Sequence, residues 1–162
     1  MKALVTGAAG FIGSYLIPEL LEKGFEVVAF DLTREAPALK KVADQITYIQ
    51  GDLESKSDLY RTMAAQGITD VFHLGALLAG PCEERPLKGF QVNFNSTHVL
   101  VDDLAALKIN RFIMLSSIAV FGKDVPEPVA DDAPKNPETF SGNKMIAGLY
   151  LTKLSALTHS LD

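Results

Sequence analysis

Thr6-Gly7-Ala8-Ala9-Gly10-Phe11-Ile12-Gly13 follows the apolar run Lys2-Ala3-Leu4-Val5-Thr6 and opens a stretch of helical period from Phe11 to Lys23. A glycine pattern with a strand before it and a helix after it marks a place where backbone must come close to a ligand. Gly7 permits the tight turn out of the strand, Gly10 leaves no Cβ between chain and phosphate, and Gly13 lets the helix pack on the sheet. The helix N-terminus then offers unpaired N–H groups and a partial positive charge to a pyrophosphate. The glycines fall at spacings of three and three, one step from the more familiar two and three.

Asp31 closes a second apolar run at 26–30, about 20 residues beyond the glycine turn, where a carboxylate accepts hydrogen bonds from the adenosine ribose hydroxyls. The same carboxylate repels a 2′-phosphate, so NAD is favoured over NADP. Arg34, close by, is read as a surface residue rather than a phosphate ligand. Residues 1 to 31 are therefore expected to form the opening β-α-β unit of a Rossmann-type domain that holds NAD.

Along the rest of the chain, short apolar runs alternate with longer helical stretches, the pattern of parallel βαβ units rather than hairpins. Strands are expected at 2–6, 26–30, 46–50, 70–74 and 111–115. Ile12, Leu16, Leu20 and Leu21 give the first helix its apolar face, Gly24 closes it, and Pro18 is expected to bend it or loosen one turn. Weaker helices are expected around 35–42 and 55–66, stronger ones at 90–107 and 141–158. Val99, Leu100, Leu104 and Leu107 in one strong helix, and Met145, Ile146, Leu149 and Leu154 in the other, spread over more than one face, which implies a partner beyond the sheet. Residues 123–137 hold four of the eight prolines and several acidic residues, and read as a loop. The fold class is α/β, a doubly wound parallel sheet.

The 162 residues are 48% hydrophobic and 22% charged, enough to bury one core, and a single domain over 1–162 is expected. A net charge of −5 with no basic stripe argues against nucleic acid or anionic lipid as a partner. Cys82 stands alone, which excludes an intrachain disulfide and lacks metal-ligand spacing. It is read as a core or loop residue, His73, His98 and His159 as structural or surface residues, and no metal is expected. The N-terminus enters a strand without a leader pattern, and no apolar stretch could span a bilayer, so a cytoplasmic protein is expected.

Arg111-Phe112-Ile113-Met114-Leu115 runs into Ser116-Ser117-Ile118-Ala119-Val120-Phe121-Gly122, which sets hydroxyls at the C-terminal end of a parallel strand, where open α/β sheets bind ligands. Together with the glycine motif at 7–13, Asp31, Gly51-Asp52-Leu53, His73-Leu74-Gly75-Ala76, Asn93 and Lys144, this order of landmarks resembles the extended short-chain dehydrogenases/reductases of the NAD-dependent epimerase/dehydratase family. The resemblance covers essentially the whole chain. The Ser116–Gly122 stretch with Ala76-Leu77-Leu78 is most similar to the branch of L-threonine 3-dehydrogenases and sugar-acid dehydrogenases.

That resemblance implies that Gly7, Gly10, Phe11, Ile12, Gly13, Asp31, Leu32 and Ser116 belong to the cofactor site. Asp52 and Leu53 would contact the adenine, Leu74, Gly75 and Ala76 line the cofactor, and Asn93 order the site. Plainer readings stand beside three of these: Asp52 as a turn residue, Gly75 as packing, Asn93 as a helix cap. Ser117 is implied to hydrogen-bond a substrate oxygen while a Tyr takes its proton, and Lys144 to hold the nicotinamide ribose and lower that Tyr's pKa. An ammonium that stabilises the phenolate makes a phenol of pKa about 10 a practical base at neutral pH.

Three departures qualify the resemblance. Phe140 stands four residues before Lys144, at the catalytic position where the family carries Tyr, and keeps the ring without the proton. Losing a general acid/base costs on the order of 10²- to 10⁴-fold in rate, and Tyr150 lies on the wrong side of Lys144 to replace it. Gly148 stands where relatives commonly carry Glu. Extended members also continue with a sixth strand and a substrate lobe, both expected to be missing from a sequence that stops at Asp162. Two functions stay open: an NAD-dependent oxidoreductase or epimerase that transfers hydride from a hydroxyl-bearing small molecule, either damaged at Phe140 or seen as the N-terminal part of a longer enzyme, and an NAD-binding module with a sensing or scaffold role. A purely structural or assembly role for the inherited fold ranks below both. A homodimer through the helices at 90–107 and 141–158 accompanies them as an expectation.

Overall fold

The computed structural model describes residues 1–139 and 142. Five strands, β1 (Lys2–Thr6), β2 (Glu26–Asp31), β3 (Ile46–Gln50), β4 (Asp70–His73) and β5 (Arg111–Met114), form one parallel sheet in the order β3-β2-β1-β4-β5. Each lies within a residue of its expected ends. The chain forms two compact units: Met1–Ala76 with Asp102–Leu115, which holds the whole sheet, and Leu77–Val101 with the described residues from Ser116 onward.

Side chains alternate across a strand, so Ala3, Val5, Val27 and Ala29 share one face, where Ala8, Ile17, Leu20 and Leu39 complete a buried cluster. Leu4, Val28, Phe30 and Val71 take the opposite face and are fully buried too. A sheet covered on both faces explains why β1 and β2 read as unbroken apolar runs rather than as alternating ones.

α1 (Phe11–Glu22) continues through Pro18. Its buried positions are Gly13, Ile17 and Leu20, with Leu16 and Leu21 partly buried beside them. Ile12, expected on the apolar face, is instead 45% exposed. The rotation has a cause in Gly13, where a Cβ would stand 2.5 Å from the Ala8 carbonyl oxygen. That contact turns position 13 inward, so 17 and 20 follow it and 12 points out. Gly24 closes the helix as expected, at φ +78° with its N–H on the Leu21 carbonyl.

After β2 the chain forms a 3-10 helix, Pro37–Gln45, rather than an α-helix over 35–42. Leu39 is its one buried residue, too little packing to stabilise a full α-helical ladder. α2 (Lys56–Gln66) starts where the Ser55 side chain accepts the Asp58 N–H and stops at Gly67 in the left-handed region.

The second unit contains α3 (Ala79–Glu84), which has no counterpart in the sequence reading, and α4 (Pro86–Phe90). A π turn, Gln91–Asn95, then leads into α5 (Ser96–Ala106), so the helix expected over 90–107 is not continuous. The hydroxyls of Ser96 and Thr97 bond the Val92 and Asn93 carbonyls, groups a wider turn leaves short of partners. Residues 123–137 form a loop as expected, flanked by the Lys123–Glu138 ion pair at 3.3 Å. The helix expected at 141–158 lies outside the described residues, and with it Phe140, Lys144, Gly148, Tyr150 and His159. Among the described residues no helix is long and apolar enough to cross a membrane.

Candidate cofactor site

From β1 the chain builds outward to β2 and β3, then crosses to β4 on the other side. That reversal is a topological switch point, which opens a crevice at the C-terminal strand ends. β1 delivers Gly7 there, β2 Asp31, β3 Gly51-Asp52-Leu53 and β4 Leu74-Gly75-Ala76.

The three glycines of the turn do different work. Gly7 has φ +68°, and a Cβ on it would stand 2.7 Å from the Gly75 backbone, so β1 and β4 leave the sheet in near contact. Gly13 was expected to let the helix approach the strands. Its close neighbours are instead the carbonyls of Gly7 and Ala8, so the helix packs on the turn itself. A Cβ on Gly10 would meet one atom, the Gly7 oxygen at 3.1 Å, with open space otherwise. This fits what the cofactor requires: a cradle closed behind Gly7 and Gly13 and open at Gly10, with space there that a phosphate would need.

Asp31 is braced before any ligand arrives. Oδ2 accepts the Ala9 N–H at 2.9 Å, and Oδ1 accepts the Thr33 N–H and hydroxyl, both at 3.0 Å. The carboxylate thereby fixes the glycine turn to the end of β2. Leu53 packs against Gly75, where a Cβ would come within 2.6 Å of its Cδ1. Asp52 makes the turn its plainer reading foresaw, its Oδ1 accepting the Glu54 N–H at 3.0 Å. Phe11, Ile12 and Leu32 are exposed apolar side chains in the segments that border the cradle.

Sequence reasoning read His73 as a structural or surface residue and did not single out the side chain of Thr6. Both are buried, and their side chains meet at 2.7 Å at the floor of the cradle. Burial holds the His73 imidazole down to about 4, from an ordinary 6.5. An unfolded chain takes up this proton below about 6.5 and the folded chain only below about 4, so the unfolded state binds more protons in between. The contribution is full above the unfolded pKa and is lost as pH falls through that window, by about 3 kcal/mol in all. Urea midpoints are expected to fall between pH 7 and 4, and His73→Asn to flatten that part of the profile.

In the second unit Asn93 is buried within the π turn. Its Oδ1 accepts the Leu77 N–H at 2.6 Å, while Nδ2 donates to the Leu77 carbonyl at 2.8 Å and to Cys82 Sγ at 3.3 Å. Asn93 is thus a clamp on the Leu77 backbone and not the helix cap of the plainer reading. Ser116 and Ser117 are exposed, and Ser117 Oγ accepts the Ala119 N–H at 3.2 Å, capping a short 3-10 turn, Ile118–Val120. Cys82 is buried and contributes a thiol bond to the Leu77 carbonyl.

A parallel sheet in this order, with a glycine turn and a braced carboxylate at its switch point, defines a Rossmann-type dinucleotide-binding protein. More particularly, the chain belongs to the NAD dependent epimerase/dehydratase family, whose profile matches residues 3–156. It is similar to the UDP-glucose 4-epimerase of Erwinia amylovora, 35% identical over 141 residues that cover 83% of this chain and 42% of that protein. Among solved structures, the UDP-glucose 4-epimerase of Thermus thermophilus in complex with NAD matches with a TM-score of 0.89 and 25% identity, over 99% of this chain and 52% of that one. L-threonine dehydrogenase from Clostridium difficile, of the branch the Ser116–Gly122 stretch resembles, matches with a TM-score of 0.83 and 26% identity, over 95% and 48%. The chain spans about half the length of these relatives. The family is defined by its use of NAD, the cofactor expected from Asp31.

Proposed function

We propose that the chain is the NAD-binding part of an epimerase or oxidoreductase acting on a hydroxyl-bearing small molecule, with UDP-sugars as the substrate class. The observation that carries this reading is the cradle, open at Gly10 and tied by Asp31 to the end of β2. Bound NAD would supply hydride-transfer chemistry at a substrate carbon. The N–H groups of the first turn of α1 hold the pyrophosphate, and Asp31 accepts from the adenosine ribose. Leu53 and Leu74–Ala76 give the site its apolar walls. Ser117 Oγ already accepts from Ala119, which leaves its hydroxyl hydrogen for a substrate oxygen. By resemblance, Lys144 would hold the nicotinamide ribose. The similarity to UDP-glucose 4-epimerases supports UDP-sugars as that class. A homodimer through the helices expected at 90–107 and 141–158 belongs to the same reading, as does a cytoplasmic location.

A second reading, an NAD-binding module without turnover, draws on Phe140, which has no proton to give or take. Calorimetric titration with NAD and NADP tests what the two share. NAD is expected to bind more tightly than NADP. Asp31→Ala is expected to weaken NAD by about 10- to 100-fold, the loss of a hydrogen bond to a charged acceptor, and to narrow the preference over NADP. A wild-type chain that binds neither dinucleotide, or an Asp31→Ala chain that binds NAD as before, overturns the reading.

A further inference from the structure

We infer that His73 is a positioning residue for the cofactor cradle, acting through the Thr6 hydroxyl on the Gly75 amide. The inference rests on the reading of the cradle as the NAD site. Thr6 ends β1 and His73 ends β4, directly paired in the parallel register, one residue before Gly7 and two before Gly75. The Gly75 N–H reaches Thr6 Oγ1 at 3.3 Å, and since an amide can only donate, the Thr6 oxygen accepts there. Thr6 is wholly buried, so its own hydrogen needs a partner, and His73 Nδ1 at 2.7 Å provides one. Nδ1 therefore accepts, and the ring is neutral with its hydrogen on Nε2. The Phe112 ring, 6.1 Å away and 28° from parallel, sets the plane of the imidazole from β5.

The chain from His73 to Gly75 matters because Gly75 has no slack. A Cβ on Gly7 would meet its Cα and N at 2.7 Å, and Leu53 presses from another direction. With no acceptor at Nδ1 the Thr6 hydroxyl swings to another partner and releases the Gly75 amide. The Gly7 turn then loses the surface it leans on. His73 thus sets the shape of the turn without touching the cofactor.

His73→Phe keeps a ring against Phe112 and removes the acceptor, whereas His73→Asn returns a carbonyl oxygen near the place of Nδ1. His73→Phe is expected to weaken NAD about tenfold and to speed hydrogen exchange at the Gly75 amide about tenfold in the absence of NAD, with most of both recovered in His73→Asn. Thr6→Val is expected to match His73→Phe, and the double variant to be no worse than either alone. The nitrogen chemical shifts of wild-type His73 are expected to report a bare Nδ1 and a protonated Nε2. Should His73→Phe not fold, Thr6→Val against Thr6→Ser and the wild-type tautomer decide the matter. An NAD affinity and a Gly75 exchange rate within twofold of wild type in His73→Phe overturn the inference, as does the opposite tautomer. A wild-type chain that binds no NAD overturns the cofactor reading instead, and is told apart because the Gly75 exchange needs no ligand.

Discussion

Gly7→Val is expected to abolish NAD binding and to lower the thermal midpoint by about 10 °C. Gly7 sits at φ +68°, a region that costs an L-residue roughly 1–2 kcal/mol and a β-branched one more. Its Cβ would lie 2.7 Å from Gly75 Cα and N, which are backbone atoms and cannot swing aside. Relief requires the ends of β1 and β4 to part, at the expense of the Leu74 N–H bond to the Thr6 carbonyl and of the Thr6–Gly75 bond. Overpacking of this kind adds about 1–3 kcal/mol, and at this chain length each kcal/mol shifts the midpoint by about 2–4 °C. Gly10→Ala is the informative contrast. Its Cβ meets only the Gly7 oxygen, at 3.1 Å, and alanine in place of glycine at a helix start costs a few tenths of a kcal/mol or somewhat more. The midpoint is expected to stay within about 2 °C while NAD affinity drops at least tenfold, because the methyl occupies the space left for phosphate. Scanning calorimetry and an NAD titration on the two variants separate a turn that holds the fold from one that holds the ligand. Unchanged NAD affinity in Gly10→Ala would move the phosphate elsewhere.

The contrast between these glycines shows where sequence reading reaches and where it stops. Strands were legible because β1 and β2 are buried on both faces, and a run such as Ala3-Leu4-Val5 has no other low-energy home. Asp31 was legible because its place at the end of β2 follows from strand length and the glycine turn before it. Ile12 was misread because the rotation of α1 is fixed by Gly13 against the Ala8 carbonyl, a contact that apolar periodicity does not register. The π turn at Gln91–Asn95 escaped for a related reason, since one extra residue in a turn leaves the pattern of Leu100 and its neighbours almost unchanged. Thr6 and His73 lie 67 positions apart, and their pairing exists only once β4 has docked on β1. A buried polar residue at a strand end beside a cradle glycine is the one sequence cue, and it gains weight when two such residues occur on strands expected to neighbour each other.

Phe140→Tyr is expected to raise the rate of hydride transfer from a UDP-sugar to NAD, followed in a single turnover, by about 10²- to 10⁴-fold, the range a general acid/base contributes. Under the proposal, Ser117 donates to a substrate oxygen and Lys144 supplies a positive charge, so the missing element is a group able to take the proton. A phenol alone does not suffice, because near pKa 10 it stays protonated at neutral pH. Positions 140 and 144 are four apart, the spacing that brings two side chains to one face of a helix, and an ammonium there favours the phenolate. The phenol introduced by Phe140→Tyr is thus expected to ionise below its ordinary range, seen as a shifted ultraviolet titration against the wild-type chain. Lys144→Met in the same background is expected to return that titration toward pKa 10 and to remove the gain in rate. The spectroscopic arm needs no substrate, so it reads the Tyr–Lys pair even where turnover depends on surfaces outside this chain. A lowered phenol pKa without turnover points to the NAD-binding module, with the relay's electrostatics kept and its chemistry given up. An unshifted phenol shows that Lys144 does not stand beside position 140, and the catalytic reading of this segment then fails at its first step.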